Sequence, residues 1–186
     1  MTCKNDIRSR LYTAVLNLPL DNPSFVPRFD NLKLIAEYYA YILHDRDTKL
    51  DENNNVVSKT PHYHLVLKFL QPKRFNSLLD TLSILLGLPY DCISLNSFDN
   101  TSIALNYLVH RCDKDKFQYP IENVVTNSKS WLMSNISISA DDKQNFIVSS
   151  VLQSEGDYVY LINIIGLDNC DKYDKIIRGI YKSRGW

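Results

Sequence analysis

The stretch HYHLVLKFL, residues 62–70, constrains the fold more than any other part of the chain. Its residue types alternate with a period of two. Successive side chains of a strand point to opposite faces, so Tyr63, Leu65, Leu67 and Phe69 form an apolar face and His62, His64, Val66 and Lys68 the other. Two imidazoles are thereby set side by side, about 7 Å apart at their Cα atoms. That spacing suits chelation of one ion.

The flanking sequence supplies the partners such a strand needs. RLYTAVLNL (10–18) and EYYAYILHDRD (37–47) have strand character, and the three prolines of PLDNPSFVPRFD separate them. Phe29, Leu32, Leu34 and Ile35 are spaced for a short helix between the two. Residues 48–60, TKLDENNNVVSKT, read as a polar, mobile loop. After the histidine strand, Pro72 suits the first turn of a helix that Gly87 and Pro89 stop. DCISLNSF predicts a further strand, and DNTSIALNYLVHRC a helix capped by Asp99, Asn100 or Thr101. The order β-α-β-β-α-β-α predicts an α+β fold, an antiparallel sheet with helices on one face in a split β-α-β arrangement.

Beyond about residue 130 the pattern changes, and the chain divides into 1–130 and a helical segment, 131–186. Ser139 is placed to cap ADDKQNFIVSSVLQ, and YVYLINII is ambiguous between helix and strand. Tyr173, Ile176, Ile177, Ile180 and Tyr181 recur at helical spacing. So short a tail is not expected to build a robust core of its own, and docking on the first domain or on copies of itself is the expectation.

Hydrophobic content of 45%, 23% charged residues and no apolar run of membrane-spanning length predict a soluble, cytoplasmic protein without membrane contacts. Cys3, Cys92, Cys112 and Cys170 are widely separated, which suggests neither a zinc knuckle nor a disulfide framework. The formal net charge of zero argues against holding duplex DNA by bulk charge, but not against a local basic patch. Lys68, Lys73 and Arg74 follow the histidine strand, and His110, Arg111, Lys114 and Lys116 follow Tyr107. These are candidates for phosphate contacts.

The strand ending at His44, Asp45, Arg46 and Asp47 brings a third imidazole and two carboxylates beside the H-x-H pair if 38–44 and 62–69 pair. Imidazole with carboxylate fits a divalent transition ion such as Mn²⁺, with Co²⁺, Ni²⁺ or Zn²⁺ also able to fit and Mg²⁺ less at home. On the helix 101–112, Ala104, Leu105, Leu108, Val109 and Cys112 form one stripe, leaving Tyr107 on the polar side with Asn106, His110 and Arg111. A phenol titrates near 10, so tyrosine attacks poorly without help. A Lewis-acidic cation on a phosphoryl oxygen supplies that help, and the pairing points to phosphodiester cleavage through a phosphotyrosine.

HDRD at 44–47, PHYH at 61–64 and NYLVH at 106–110, in that order and at those intervals, resemble the rolling-circle replication initiators of small Gram-positive plasmids, within the nucleases named for a histidine-hydrophobe-histidine strand. The resemblance covers roughly residues 8–125. It implies that His44, Asp47, His62 and His64 hold a divalent metal, usually manganese or magnesium, with Asp47 rather than Asp45 the carboxylate. It implies that Tyr107 nicks one strand of single-stranded or duplex origin DNA, keeps the 5′ phosphate and frees a 3′ hydroxyl as primer. Tyr63 departs from the pattern, where an aliphatic residue is usual. The family's helical C-terminal segments often assemble rings, so residues 131–186 are expected to oligomerise. No G-x-x-x-x-G-K phosphate loop occurs among the five glycines, which implies a host helicase as well as a host polymerase. The alternatives are a relaxase or single-tyrosine transposase of the same nuclease group, or a non-catalytic RNA-recognition-like module that stacks bases on an open sheet face.

Overall fold

The computed structural model describes residues 7–19, 22, 24–136, 147–148, 150–165 and 167–186. The chain divides into two compact units, 1–127 and 128–186.

The first unit is built on a fully antiparallel sheet ordered β6-β1-β5-β2-β7. Its strands are β1 (Arg8–Asn17), β2 (Tyr38–His44), β5 (His62–Arg74), β6 (Ile93–Ser97) and β7 (Val125–Thr126). β1, β2, β5 and β6 with their two crossovers make the split β-α-β arrangement; β7 is added at the β2 edge. The first crossover is a 3₁₀ helix (Phe29–Leu34) and the second is α1 (Phe75–Leu86). Both lie on the Tyr63, Leu65, Leu67 and Phe69 face, where Leu32, Leu78, Leu82 and Leu86 complete one buried cluster with Tyr12 and Leu16. Tyr63 fits there because the Phe29 ring meets it edge-on at 4.9 Å while stacking on Tyr41 at 3.8 Å.

The expectation of helices on one face holds for the two crossovers only. Helix α2 (Thr101–Leu108) covers the opposite, histidine-bearing face, with Ala104, Leu105 and Leu108 buried. An open base-stacking platform is therefore absent on that side. Asn100 is the cap, its side chain accepting from the Ile103 N–H at 3.0 Å.

Two other expectations are corrected. Pro72 lies inside β5, not in a helix. The β1 pairing shifts register between Ser9 and Leu11, opposite this stretch, so the missing proline N–H costs no ladder bond there. The Tyr12 hydroxyl donates to the Lys73 carbonyl at 2.7 Å, satisfying the irregular segment. Helix α1 begins three residues later than Pro72 and ends at Gly87, whose φ of 74° is the left-handed conformation that favours glycine. The run 48–60 is a hairpin of β3 (Thr48–Leu50) and β4 (Val56–Ser58) rather than a plain loop. Asp51 orders its tip by accepting from the Asn53 and Asn55 N–H groups, both at 2.8 Å, with Asn54 at φ 61°.

In the second unit helices run over Lys129–Asn135, Tyr158–Ile165, Leu167–Lys172 and Asp174–Arg184, with helical backbone also at 150–154. YVYLINII is thus helical. Contrary to expectation the unit has its own apolar cluster, formed by Ile147, Val151, Leu161, Ile164, Ile165, Cys170 and Ile177. The expected Ser139 cap lies outside the described residues. No helix among the described residues is long and apolar enough to cross a membrane.

Candidate metal and nucleophile site

The pairing of β2 with β5 sets His44 opposite His62 and Ile42 opposite His64. Three imidazoles from two strands thereby converge on the face that α2 covers. His44 is fully buried, and His62, His64 and Asp47 are nearly so. The His44 and His64 rings stack with centroids 3.9 Å apart. Asp47, three residues past His44, turns its carboxylate into the group. Its Oδ2 is 3.5 Å from His44 Nδ1 and 3.6 Å from His62 Nε2.

Hydrogen bonds settle which imidazole nitrogens are free. A carbonyl oxygen only accepts, so His44 Nε2–H donates to Leu108 O at 2.8 Å and His62 Nδ1–H donates to Thr60 O at 3.0 Å. The lone pairs of His44 Nδ1 and His62 Nε2 then face the carboxylate. His44 Nδ1 has no hydrogen-bond partner at all, a buried acceptor left orphaned. Burial lowers the His44 pKa to about 4 and, with repulsion from the neighbouring imidazoles, the His64 pKa to about 2. Both rings are neutral near pH 7, the state in which imidazole binds metals. One ligand atom each from His44, His62 and His64 lie within 4.8 Å of one another, as do those of His44, Asp47 and His110. Orphaned nitrogen, neutral imidazoles and a carboxylate make a donor set that fits a divalent ion.

His110 departs from its expected place among DNA-contacting side chains. It is 1% exposed, its Nδ1 donates to Phe117 O at 3.0 Å, and that nitrogen lies 3.7 Å from Asp47 Oδ1. It stands just past the end of α2 at φ 61°. Arg111 N–H bonds to Asn106 O at 2.9 Å and His110 N–H to Tyr107 O at 3.2 Å, the double closure that usually has glycine at this position. A histidine held in the left-handed region is strained backbone, and the strain turns its ring toward Asp47.

Tyr107 is exposed, with its ring 5.3 Å from that of His64. It opens onto a cleft of about 340 Å³, lined also by Asp47, His62, His64, His110, Lys49, Lys59 and Lys116. Lys116 pairs with Asp113 at 3.1 Å and its Nζ is 5.9 Å above the Tyr107 ring. The other expected phosphate contacts fall elsewhere. Lys73 and Arg74 are exposed at the far end of β5, paired with Ser9 and Arg8, about 20 Å along the sheet from the His64–Val15 pair. Lys68 and Arg111 are half-buried and Lys114 is exposed; none of the three lines the cleft.

Tyr119 belongs to the site although no pattern in the sequence marked it. Its ring stacks on His44 at 4.2 Å with a 5° interplanar angle. Its hydroxyl donates to Asp47 Oδ1 at 3.2 Å and accepts from the Arg46 N–H at 2.9 Å. Burial pushes its pKa up to about 12, so it stays a donor.

Comparison with known families decides the affiliation. The family model "plasmid replication protein, origin binding domain" matches residues 4–132. The chain belongs to this family. A search of curated proteins returns no match. In this origin binding domain, the imidazole cluster, Asp47 and Tyr107 all lie within the matched residues, and the chain is a plasmid replication initiator.

Proposed function

We propose that the protein initiates rolling-circle replication by nicking and rejoining single-stranded DNA at its plasmid's origin. The observation that carries this reading is the opening of the Tyr107 phenol and the free faces of the imidazole cluster onto one cleft. The Tyr107 oxygen attacks the scissile phosphorus, the bond to the 3′ oxygen breaks, and that oxygen leaves as a 3′ hydroxyl. The 5′ phosphate stays on the tyrosine, and the phenolic proton passes to solvent or to the leaving oxygen. The reverse attack by a 3′ hydroxyl restores the phosphodiester and frees the phenol.

His44, His62, His64 and Asp47 would hold a divalent ion, Mn²⁺ foremost, which would supply Lewis-acid polarisation of a phosphoryl oxygen. The protein's own residues do the rest. Leu108 O and Thr60 O keep His44 and His62 in the tautomers that present Nδ1 and Nε2. Tyr119 fixes the carboxylate, and Lys116 places positive charge beside the phenol. The second unit serves assembly; light scattering of the full chain should give more than one subunit, and a monomer at high concentration would remove that role.

The test is incubation with Mn²⁺ and a single-stranded oligonucleotide carrying the plasmid's origin. Wild type is expected to give a covalent protein–DNA adduct and a free 3′ hydroxyl, and Tyr107→Phe neither. An adduct that persists in the phenylalanine variant refutes Tyr107 as nucleophile.

A further inference from the structure

Three ammonium groups line the Tyr107 cleft, and two of them come from the base of the β3–β4 hairpin. Lys49 is in β3 and Lys59 directly follows β4. The Lys59 N–H donates to the Asp47 carbonyl at 2.8 Å, so the hairpin ladder runs on to the residue whose carboxylate faces the imidazoles. Neither lysine has a carboxylate partner among the described residues. The arm is also preformed, since Asp51 locks its tip through backbone bonds from Asn53 and Asn55. Lys116, paired with Asp113, holds its Nζ 5.9 Å from the Tyr107 ring centroid.

The charge balance of the cleft differs from that of the chain. The chain as a whole is neutral, whereas this cleft is lined by Lys49, Lys59 and Lys116 and by one carboxylate, Asp47, with Asp113 beside it paired to Lys116. A concave surface with excess ammonium charge beside a nucleophile attracts a polyanion that threads past it. Lysine acts here as a point charge on phosphate, without reading bases.

We propose that Lys49, Lys59 and Lys116 form a metal-independent grip on the backbone phosphates of the DNA strand that Tyr107 attacks, with the β3–β4 hairpin as its fixed arm. The inference rests on the reading of this cleft as the seat of the cut strand. It assigns the strand's electrostatic hold to the hairpin base rather than to the basic residues Lys68, Lys73 and Arg74 of β5.

The experiment measures fluorescence anisotropy of a labelled 20-nucleotide oligo(dT) with the full chain in EDTA, across roughly 50 to 300 mM NaCl. With divalent ions chelated, binding is read without any need for nicking, so a failed adduct assay and a failed grip are separate results. Each phosphate contact contributes about 0.7 to the slope of log affinity against log salt for single strands. The K49Q/K59Q/K116Q variant is expected to lower that slope by about 2 and to weaken binding about tenfold or more at low salt. K49R/K59R/K116R, which keeps the charge, is expected to retain the wild-type slope. The K175Q/K182Q variant, altered only in the second unit, is the control. If the glutamine variant melts at the wild-type temperature and binds with the wild-type slope and affinity, the grip is refuted. Should the triple variant fail to fold, the three single variants decide, each expected to lower the slope by about 0.7, with an unchanged slope in all three overturning the proposal.

Discussion

Acidification should unfasten the first unit through two histidines. His44 and His64 are 0% and 5% exposed, so solvent screening does not discount the effect. Their folded pKa values are lowered to about 4 and about 2, against 6.5 for the free side chain. Below pH 6.5 the unfolded chain binds protons at these positions while the folded chain refuses them, so unfolding takes up protons. Stability is therefore level above about pH 7 and falls as pH drops. Inside the window between 6.5 and the folded pKa, each ring contributes a slope of about 1.4 kcal/mol per pH unit. Acidifying to pH 5 spans about 1.5 units of that window, so each ring costs about 2 kcal/mol and the pair up to about 4. Against a typical total of 5–15 kcal/mol this is large. Hydrogen exchange of the β5 amides, in EDTA at pH 7, 6 and 5 and corrected for intrinsic rates, measures the unit's opening free energy. His64→Gln should reduce the pH slope, the remainder coming from His44 and from His110, which burial also disfavours in the charged form. An opening free energy constant within about 1 kcal/mol over this range would mean that the imidazoles charge without cost, and the account of their burial would fail.

Tyr119→Phe leaves Asp47 Oδ1 and the Arg46 N–H short of a partner; a loss of about 1–3 kcal/mol in thermal unfolding and a 10- to 100-fold weaker Mn²⁺ affinity by calorimetry are expected. An unchanged Mn²⁺ affinity would show that the phenol does not hold the carboxylate. His110→Gly should be more stable than His110→Ala by about 1 kcal/mol, the reverse of the order inside a helix, because only the glycine relaxes at φ 61°. Denaturant unfolding of the two variants checks it. Leu82→Ala, at a fully buried position between α1 and the sheet, should cost about 2–5 kcal/mol, read as loss of near-ultraviolet tyrosine signal at lower denaturant.

The parts of the architecture carried by period-two patterns were legible. HYHLVLKFL and EYYAYILH have such patterns, and their pairing and the antiparallel sheet followed from them. The histidine-bearing face was less so. The sequence presents His62, His64, Val66 and Lys68 as an open polar face, and only the three-dimensional path of α2 reveals that it is covered. Burial is what holds His44 and His64 in the neutral form, and no local signal carries that. Tyr119 was invisible for a related reason: it is one of 12 tyrosines, and its bond to Asp47 spans 72 positions. His110 was misplaced because the helical spacing runs on to Cys112, whereas α2 ends at Leu108 and His110 turns into the left-handed region just past it. Pro72 misled because its usual place at a helix start is matched by a second allowed place, beside a register shift in a strand.

Helix α2 carries two neighbouring residues with different duties. Tyr107 offers its side chain to the cleft, and Leu108 offers its backbone oxygen to His44. A rotation of α2 large enough to swing the phenol aside would also strip the imidazole of the one hydrogen bond it makes among the described residues, in a place water does not reach. The Tyr107 side chain and the buried His44 ring are thus geared together, so that neither can be displaced through α2 without disturbing the other.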